Sequence, residues 1–502
     1  MLLSDYLLQH LDRAEGTGAV PLNRQIYGVM REAILRGVWA ADTRLPSSRE
    51  LAADTQLSRN TVLHAYQQLL AEGYIVARAG SGSFVSDTLP ASPAGASTRK
   101  AAAPRAADAA RRAAGNPAAL LSQRARLLLR DAALSGSPSG AFALGVSDTS
   151  AFPHATWARL IGRRWRYPSQ ELLNYAHGGG YGPLREALAD HLRLARSVNG
   201  TAEQIVLTTG IQQSIALVAT LFTDVGDRVW TEEPGYRGAR NLLRACGLET
   251  VPIPVDDEGL APRERDLAQP PRLAYVTPSH QFPLGMVMSL ARRRLLLDCA
   301  HRQGMWILED DYDSEFRFEG RSLASLQGLD EHDRVLYMGS FSKTLFPGIR
   351  VGYLVLPGAL AERCAAGYAE LYRDGQLVQQ AALADFMAGG HYATHIRRTR
   401  RLYAAKQSVL REAIVRRFGD ALPISTHEAG LHLVLHLPDA CDDALLCEQA
   451  AAQGVVVRPL SRHFLQRQGA RQGLLLGYAG VAERQIRPAF DKLALLIEKM
   501  LR

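Results

Sequence analysis

Three short stretches of this 502-residue chain hold residues whose types and order could do chemistry together. The first is Gly339-Ser340-Phe341-Ser342-Lys343-Thr344-Leu345-Phe346-Pro347-Gly348-Ile349-Arg350. Hydroxyls, one amine and one guanidinium in a Gly-containing loop suggest an anion site with a reactive amine. The second is Glu309-Asp310-Asp311-Tyr312-Asp313, directly after an apolar run. Such an acid cluster suits a metal site, a solvated loop or the partner of a buried cation. The third is Thr209-Gly210-Ile211-Gln212-Gln213, a Gly-containing helix entry whose unpaired N–H groups can cradle a phosphate. One small molecule accounts for all three. Pyridoxal 5′-phosphate requires a lysine for its Schiff base and a carboxylate against its pyridine nitrogen. It also requires an aromatic against its ring, and N–H, hydroxyl and guanidinium donors for its phosphate. Lys343 would form the internal aldimine, and must be partly deprotonated to react. Asp310 would keep the ring nitrogen protonated, which makes the ring an electron sink. Tyr312 would hydrogen-bond the phenolic oxygen, and Tyr236, in Glu233-Pro234-Gly235-Tyr236, would stack on the ring. Ser340, Ser342, Arg350 and the backbone of Gly210, Ile211 and Gln212 would hold the phosphate. Each feature alone is weak, because a loop lysine is nearly always a surface lysine. Their order and their placement after apolar runs carry the reading.

Those runs define the frame. Residues 204–208, 227–230, 273–276, 305–308, 335–338 and 351–356 read as short strands. A helix should begin near Ile211, and another should cover 290–301. Strands so spaced, with helical crossovers, predict a mostly parallel sheet covered on both faces. Ligands of such sheets bind beyond the carboxyl ends of the strands, where the three stretches lie.

An earlier block is patterned differently. Leu22, Ile26, Met30 and Ile34 share one helical face, with Val29 and Ala33 beside them, and Gly37 suits a helix stop. Ser47 and Glu50 have capping-box spacing, so a helix should start there. Ser58 offers a second N-cap, with Leu57 and Val62 spaced as a hydrophobic staple. The helix that follows should bury Val62, Ala65, Tyr66, Leu69 and Leu70 and end at Gly73. Residues 74–76 and 83–85 read as strands around Gly80-Ser81-Gly82. Three helices and a two-stranded wing make a winged helix-turn-helix. Such a unit places its recognition helix in the DNA major groove. Arg59, Asn60 and Thr61 open that helix, where side chains reach base edges. Arg49 starts the preceding helix, where free N–H groups and the dipole favour phosphate. Arg78 and the wing residues Gly80, Ser81 and Gly82 can approach the DNA backbone closely. Any one of these arginines is as often merely solvated; the whole arrangement points to DNA.

Hydrophobic residues make up 47% and charged residues 22%, values of a globular chain, so disorder of the whole is excluded. No apolar run approaches the ~18 residues of a membrane span, so no membrane partner is expected. Residues 1–16 lack a basic n-region and a small-residue cleavage site, so they do not read as a signal peptide. Cys246, Cys299, Cys364, Cys441 and Cys447 are odd in number and scattered, which argues against a disulfide framework and a zinc knuckle. No metal is expected, and the expected setting is the cytoplasm, at the nucleoid. A net charge of +8 permits a polyanionic partner without demonstrating one. Composition shifts sharply over Leu89 to Gly140, which is rich in Ala, Pro, Ser, Gly and Arg. Its part up to Gly115 has almost no large apolar residue and cannot build a core, while Ala118 to Leu134 sets leucines among arginines in a helix-like pattern. The chain therefore divides into a winged helix-turn-helix over 15–87, a linker over 88–140 and a large α/β domain over 141–502, without internal repeats.

The first block resembles the DNA-binding domain of the GntR family of bacterial regulators. Leu45-Pro46-Ser47-Ser48-Arg49-Glu50-Leu51-Ala52, Ser58-Arg59-Asn60-Thr61-Val62 and Glu72-Gly73-Tyr74 carry the likeness. It implies that Arg49, Arg59 and Thr61 contact operator DNA. The block from Ala141 onward resembles the fold-type-I aminotransferases, including Asn174-Tyr175 and Gly182-Pro183-Leu184-Arg185. In those enzymes a tyrosine similar to Tyr175 reaches the cofactor phosphate of the neighbouring subunit, which implies a homodimer. Together the blocks resemble the MocR/GabR subgroup of GntR regulators. Thr277-Pro278-Ser279-His280-Gln281-Phe282-Pro283-Leu284-Gly285 and Glu309-Asp310-Asp311-Tyr312-Asp313-Ser314-Glu315 look characteristic of it. The fold implied is an N-terminal winged helix-turn-helix (α+β) joined by a linker to a large α/β fold-type-I aminotransferase domain with a mostly parallel sheet.

Two departures stand out. Where aminotransferases usually carry Asn before Pro-x-Gly, this chain has Phe282, and Gln281 or His280 would supply the missing hydrogen bond. Where many carry an arginine that grips the substrate carboxylate, the pattern Leu474-Leu475-Leu476-Gly477-Tyr478-Ala479 places Leu475. Arg458 or Arg462 would have to substitute. The expectation is a regulator whose cofactor, or its adduct, modulates binding to a double-stranded DNA operator, with an amino acid, an amine or pyridoxal phosphate itself as effector. Two rivals stay open: an active aminotransferase with an incidental DNA-binding head, and a cofactor-free DNA-binding protein that uses the large domain only to dimerise.

Overall fold

A computed structural model describes residues 3–11, 21–87, 121–129, 140–175, 178–318, 323–373, 375–425, 429–466 and 469–502. Most of the linker expected over 88–140 lies outside them. The chain forms two compact units, Met1–Pro117 and Ala118–Arg502. Among the described residues no helix is long and apolar enough to cross a membrane.

In the first unit, α1 (Leu3–His10) packs on α2 (Leu22–Leu35) and α3 (Ser48–Thr55). Helix α1 buries Leu3 and Leu7, a contribution to the core that the sequence reading missed. Helix α2 buries Ile26, Met30, Ala33 and Ile34, the face its spacing predicts. Helix α3 starts in the expected capping box: Glu50 N donates to Ser47 Oγ at 3.2 Å and Ser47 N donates to the Glu50 carboxylate at 2.8 Å. Helix α4 (Arg59–Ala71) buries Val62, Ala65, Tyr66 and Leu69. Two expectations need correction there. Ser58 precedes α4 but makes no side-chain cap; its carbonyl accepts from Thr61 and Val62 instead. Leu70 is exposed, because it lies outside the arc that faces α2 and α3. Strands β1 (Ile75–Arg78) and β2 (Gly82–Val85) pair antiparallel as the wing.

The second unit opens, among its described helices, with α5 (Gln123–Leu129), inside the stretch read as helix-like. After a further helix, His154–Arg166, come α6 (Gly182–Arg196), β3 (Ile205–Thr208), α7 (Ile211–Phe222), β4 (Arg228–Glu233) and α8 (Arg237–Ala245). Then follow β5 (Glu249–Asp256), β6 (Gly259–Leu260), β7 (Leu273–Val276), α9 (Leu290–Gln303), β8 (Trp306–Asp311), β9 (Val335–Ser340) and β10 (Gly352–Val355). They form an eight-stranded sheet in the order β3-β10-β9-β8-β7-β4-β5-β6. Neighbours from β9 to β5 run parallel, while β10 is antiparallel to both β3 and β9. Residues alternate between faces as strand geometry requires. Leu273 and Tyr275 pack with residues of α7 and α8, and Ala274 and Val276 with residues of α9. A second sheet, not expected from the sequence, consists of β11 (Ile424–Ser425), β12 (His432–His436), β13 (Arg458–Pro459) and β14 (Gly473–Gly477), in the order β11-β12-β14-β13. Its strands are antiparallel, and α10 (Asp443–Ala452) and α11 (Glu483–Leu501) accompany it.

One buried cation ties the frame together below the strand ends. Arg196, the last residue of α6, donates to Asp311 at 2.7 Å, to the Leu323 carbonyl at 2.5 Å and to Ser279 Oγ at 2.5 Å. Replacing Arg196 by Met leaves the buried Asp311 carboxylate without its charged partner. The expected loss is about 3–5 kcal/mol of stability, read as a lower urea midpoint. A loss below about 1 kcal/mol would show that the pair contributes little.

Candidate functional site

Strand β8 ends in two carboxylates that point to opposite faces of the sheet. Asp311 meets Arg196, and the Tyr337 hydroxyl donates to it at 2.6 Å. Asp310 faces the other way and is buried. The Tyr275 hydroxyl, from neighbouring β7, donates to Asp310 Oδ2 at 2.5 Å. The second oxygen, Oδ1, is buried without a hydrogen-bond partner. Burial pushes the Asp310 carboxyl up to about 7; the Tyr275 bond opposes this, and the charges of Asp311, Asp313 and Glu232 add to it.

Lys343 stands on the short helical turn Phe341–Thr344 that follows β9. Its Nζ donates to the Gly145 carbonyl at 2.9 Å. Gly145 has φ +73°, a conformation that strains other residues, and a Cβ there would fall 2.4 Å from that nitrogen, so the end of the lysine side chain would have to shift. Burial pushes the Lys343 ammonium down, and the charges of Asp313 and Asp310 push it up, with a net shift downward. The direction favours the neutral amine that a nucleophilic lysine needs.

Lys343 and Asp310 line one cavity of ≈ 340 Å³, together with the predicted Tyr236, Tyr312 and Ile211. The Tyr236 ring meets Phe282 edge-on at 5.6 Å, and Gln212 Nε2 donates to its hydroxyl at 3.1 Å. The Tyr312 hydroxyl lies 2.9 Å from Nδ1 of His280, and that nitrogen lies 3.0 Å from the Asp313 carboxylate. At the start of α7, Gly210 has φ +122°, and a Cβ on it would meet the Arg350 guanidinium at 3.4 Å. The fold thus brings Arg350 to the helix entry. Ser340 accepts from Ser342 N at 3.1 Å, and the Ser342 hydroxyl is buried without a partner.

Seven of the twelve predicted cofactor residues are not among those that line the cavity: Gly210, Gln212, Ser340, Ser342, Arg350, Gln281 and Tyr175. Gln281 spends its amide on the Glu232 carboxylate at 3.2 Å and on the Pro234 and Phe282 carbonyls at 2.8 Å each, so it braces the loop and does not line the cavity. Of the two candidates for the missing Asn, His280 is the one beside Tyr312. Tyr175 is 72% exposed and is not among the cavity residues. The sequence reading missed Gly145, Tyr275, Thr277, Arg237, Asn241, His432 and His463, all of which line the cavity. Position after a strand end could have flagged Thr277, which follows β7; Tyr275 lies inside a strand and carried no such signal. Among the described residues, no three His, Cys, Asp or Glu side chains are grouped to hold a metal ion.

In the first unit, Arg49, Arg59 and Asn60 are exposed at the starts of α3 and α4, and Thr61 is half-buried. Arg78 and the wing residues Gly80, Ser81 and Gly82 are exposed. Arg78 pairs with Asp42, and its guanidinium lies over the Phe84 ring at 4.6 Å.

Residues 22–85 match the family described as bacterial regulatory proteins, gntR family, and residues 144–492 match aminotransferase class I and II. The chain is 42% identical to the probable rhizopine catabolism regulatory protein MocR of Rhizobium meliloti, over 94% of this chain and 93% of that one. It is 30% identical to the HTH-type pyridoxine biosynthesis transcriptional regulator PdxR of Corynebacterium glutamicum, over 92% of this chain and 93% of that one. The kynurenine aminotransferase of Pyrococcus horikoshii, solved with PMP, superposes with a TM-score of 0.67 at 25% identity, over 76% of this chain and 96% of that one. Those matches span both units, and the chain belongs to the MocR/GabR subgroup of GntR-family transcription regulators, a winged helix-turn-helix head fused to an aminotransferase-like domain.

Proposed function

We propose that this regulator binds pyridoxal 5′-phosphate in the cavity of its aminotransferase-like domain, and that the cofactor or its adduct modulates operator binding. The observation that carries the reading is the joint presence of Lys343 and a half-satisfied Asp310 in one cavity. A buried carboxylate oxygen without a donor is costly unless a ligand supplies one, and a pyridinium N–H is such a donor. The orphan Ser342 hydroxyl, Ser340, the Gly210-Ile211-Gln212 backbone and Arg350, which lies against Gly210, would supply the donors that a phosphate requires; of these Ile211 lines the cavity. Tyr236 would lie against the ring, and Tyr312, held by His280, would meet its phenolic oxygen. When bound, the cofactor supplies an aldehyde that joins Lys343 and a ring that withdraws electrons. The chain's own residues bind it, fix its tilt and keep a carboxylate beside its ring nitrogen.

Regulation is favoured over turnover by Leu475, which is fully buried in an apolar cluster with Leu284, Val434 and Leu460. The described part of the connecting stretch supplies a route for coupling. Helix α5 packs on α8, and the start of α8 gives Tyr236, Arg237, Gly238 and Asn241 to the cavity region. An occupant that binds the DNA-competent arrangement more tightly than the other shifts operator affinity by that difference. The active form would be a homodimer in which Tyr175 reaches the cofactor of its partner, carrying two heads for two operator half-sites.

Three outcomes test this. Purified protein should show the visible absorption of lysine-bound pyridoxal phosphate, and Lys343→Ala should abolish it; an unchanged spectrum contradicts the assignment. In the cofactor-free protein, native Asp310 keeps its proton up to about pH 7, whereas the unfolded chain loses it near the ordinary carboxylate range. The native state therefore binds more protons in that window, and stability falls as pH rises through it. Asp310→Asn should raise the melting temperature of the cofactor-free protein more at pH 8 than at pH 5, and a pH-independent difference contradicts this. Finally, Arg49→Ala should lower the slope of log affinity against log salt by about one on a mixed-sequence duplex. An unchanged slope would remove Arg49 from the phosphate contacts.

A further inference from the structure

Phe282 stands where a hydrogen-bonding side chain was expected, and a phenyl ring donates nothing. It meets Tyr236 and Tyr312 edge-on, at 5.6 and 5.9 Å between ring centroids. A buried pair beside Tyr312 decides what that tyrosine can do. Nδ1 of His280 lies 2.9 Å from the Tyr312 hydroxyl, and 3.0 and 3.1 Å from the two oxygens of Asp313. His280 and Asp313 are both buried. The imidazole lies against the backbone of Gly430, where a Cβ would fall 2.2 Å from its Cε1, and the Gly430 carbonyl accepts from the Tyr478 hydroxyl at 2.8 Å. The other imidazole beside it, His432, is 5.8 Å away and places its Nε2 3.0 Å from the Pro283 carbonyl.

One ring nitrogen thus serves two oxygen-bearing groups, and the protons have to be allotted between them. An ionised carboxylate only accepts, and a neutral imidazole carries its proton on one nitrogen. Nearly equal distances to both Asp313 oxygens suit one N–H shared between them. A proton on the other nitrogen would set the Nδ1 lone pair against a buried carboxylate, a costly arrangement. Burial pushes the Asp313 carboxyl up, while His280 and Lys343 pull it down, with a net shift upward. A proton shared between Asp313 and Nδ1 has the same consequence, because that nitrogen is committed to Asp313 in either case. The Tyr312 oxygen can then accept from Nδ1, but its own proton has to point elsewhere. Tyr312 keeps that proton: burial holds its phenol well above the ordinary range, and the charges of Asp313, Asp310, Glu232 and Asp311 add to the effect. Tyr312 lines the cavity with Lys343 and Asp310, so the cavity is where the proton can go.

We infer that His280, oriented by Asp313, is a positioning residue that turns the Tyr312 O–H into the cavity, so that Tyr312 donates to an anionic oxygen of the ligand and not to the imidazole. The inference rests on the reading of the cavity as a pyridoxal phosphate site, and it specifies how the phenolic oxygen is met there. A donor at that oxygen weakens its hold on the proton of the neighbouring imine nitrogen. The lysine-bound cofactor then gives up that proton at a lower pH.

The test is a pH titration of the visible band of the full chain loaded with pyridoxal phosphate. Tyr312→Phe and His280→Leu should each raise the midpoint by about one unit, the effect of one hydrogen bond to a charged group. The double variant should raise it no further than either alone, since both remove the same bond. His280→Asn, whose amide sets an N–H near the place of Nδ1, should keep the midpoint close to that of the unaltered chain. Asp313→Asn separates the relay from simple charge. Loss of the charge alone would lower the midpoint, because that carboxylate favours a cation at Lys343. Release of Nδ1 to accept from Tyr312 raises it, and a rise is expected. An unchanged midpoint in His280→Leu, additive effects in the double variant, no rescue by His280→Asn, or a fall in Asp313→Asn overturns the inference. Should Asp313→Asn fail to fold, the two His280 variants decide alone. A chain that shows no visible band with pyridoxal phosphate overturns the parent reading, and this inference with it.

Discussion

A carboxyl group held out of water, with one oxygen bonded and the other not, is the constraint around which the large unit is arranged. Asp310 sits at the end of a strand flanked by β7 and β9 inside the sheet, where desolvation is severe. The cost is tolerable only because neighbouring acids have separate partners. Glu309 accepts from the Leu326 and Gln327 backbone at 2.9 Å each, Asp311 pairs with Arg196, and Asp313 meets His280. A run that reads as one acid cluster is thus four carboxylates with different tasks. The strand's alternation separates them: Asp310 turns to the cavity, while its neighbour binds a cation that fastens α6 to the sheet.

The same logic of separation bears on the proposed sensing role of the cavity. A site for turnover needs its substrate gripped in one orientation at the reacting centre. Here the position expected to grip is filled by Leu475, and its register partner on the adjacent strand is Arg458. A site that must only register an occupant is less demanding, since differential affinity between two arrangements is enough. The packing of α5 against α8 places the approach to the cavity one helix away from the connecting stretch.

Local signals were legible where chemistry is local. Ser47 and Glu50 announce the start of α3 because a capping box is a four-residue event. Lys343, Asp310 and Gly210 could be singled out because each lies a few residues past the end of an apolar run, and a doubly covered sheet puts strand ends at its ligand. What escaped depended on distant pairing. Arg458 lies in a two-residue strand whose meaning comes from its register with Leu475, and no spacing within the sequence encodes that register. Tyr275 meets Asp310 only because β7 and β8 are adjacent. Gln281 looked like a cofactor ligand because it precedes Phe282-Pro283, yet buried Glu232 and two carbonyls claim its amide. Helix α1 was passed over because eight residues with two buried leucines resemble any solvated terminus until α2 and α3 supply the groove.

The proposed function requires Lys343 to be the amine that holds the cofactor. The direct measurement is borohydride reduction of the purified protein with pyridoxal phosphate, followed by peptide mass mapping. The reduced pyridoxyl group should appear on the peptide that contains Lys343 and on no other. A label on a different lysine, or no label at all, would contradict the cavity built around Lys343 and Asp310.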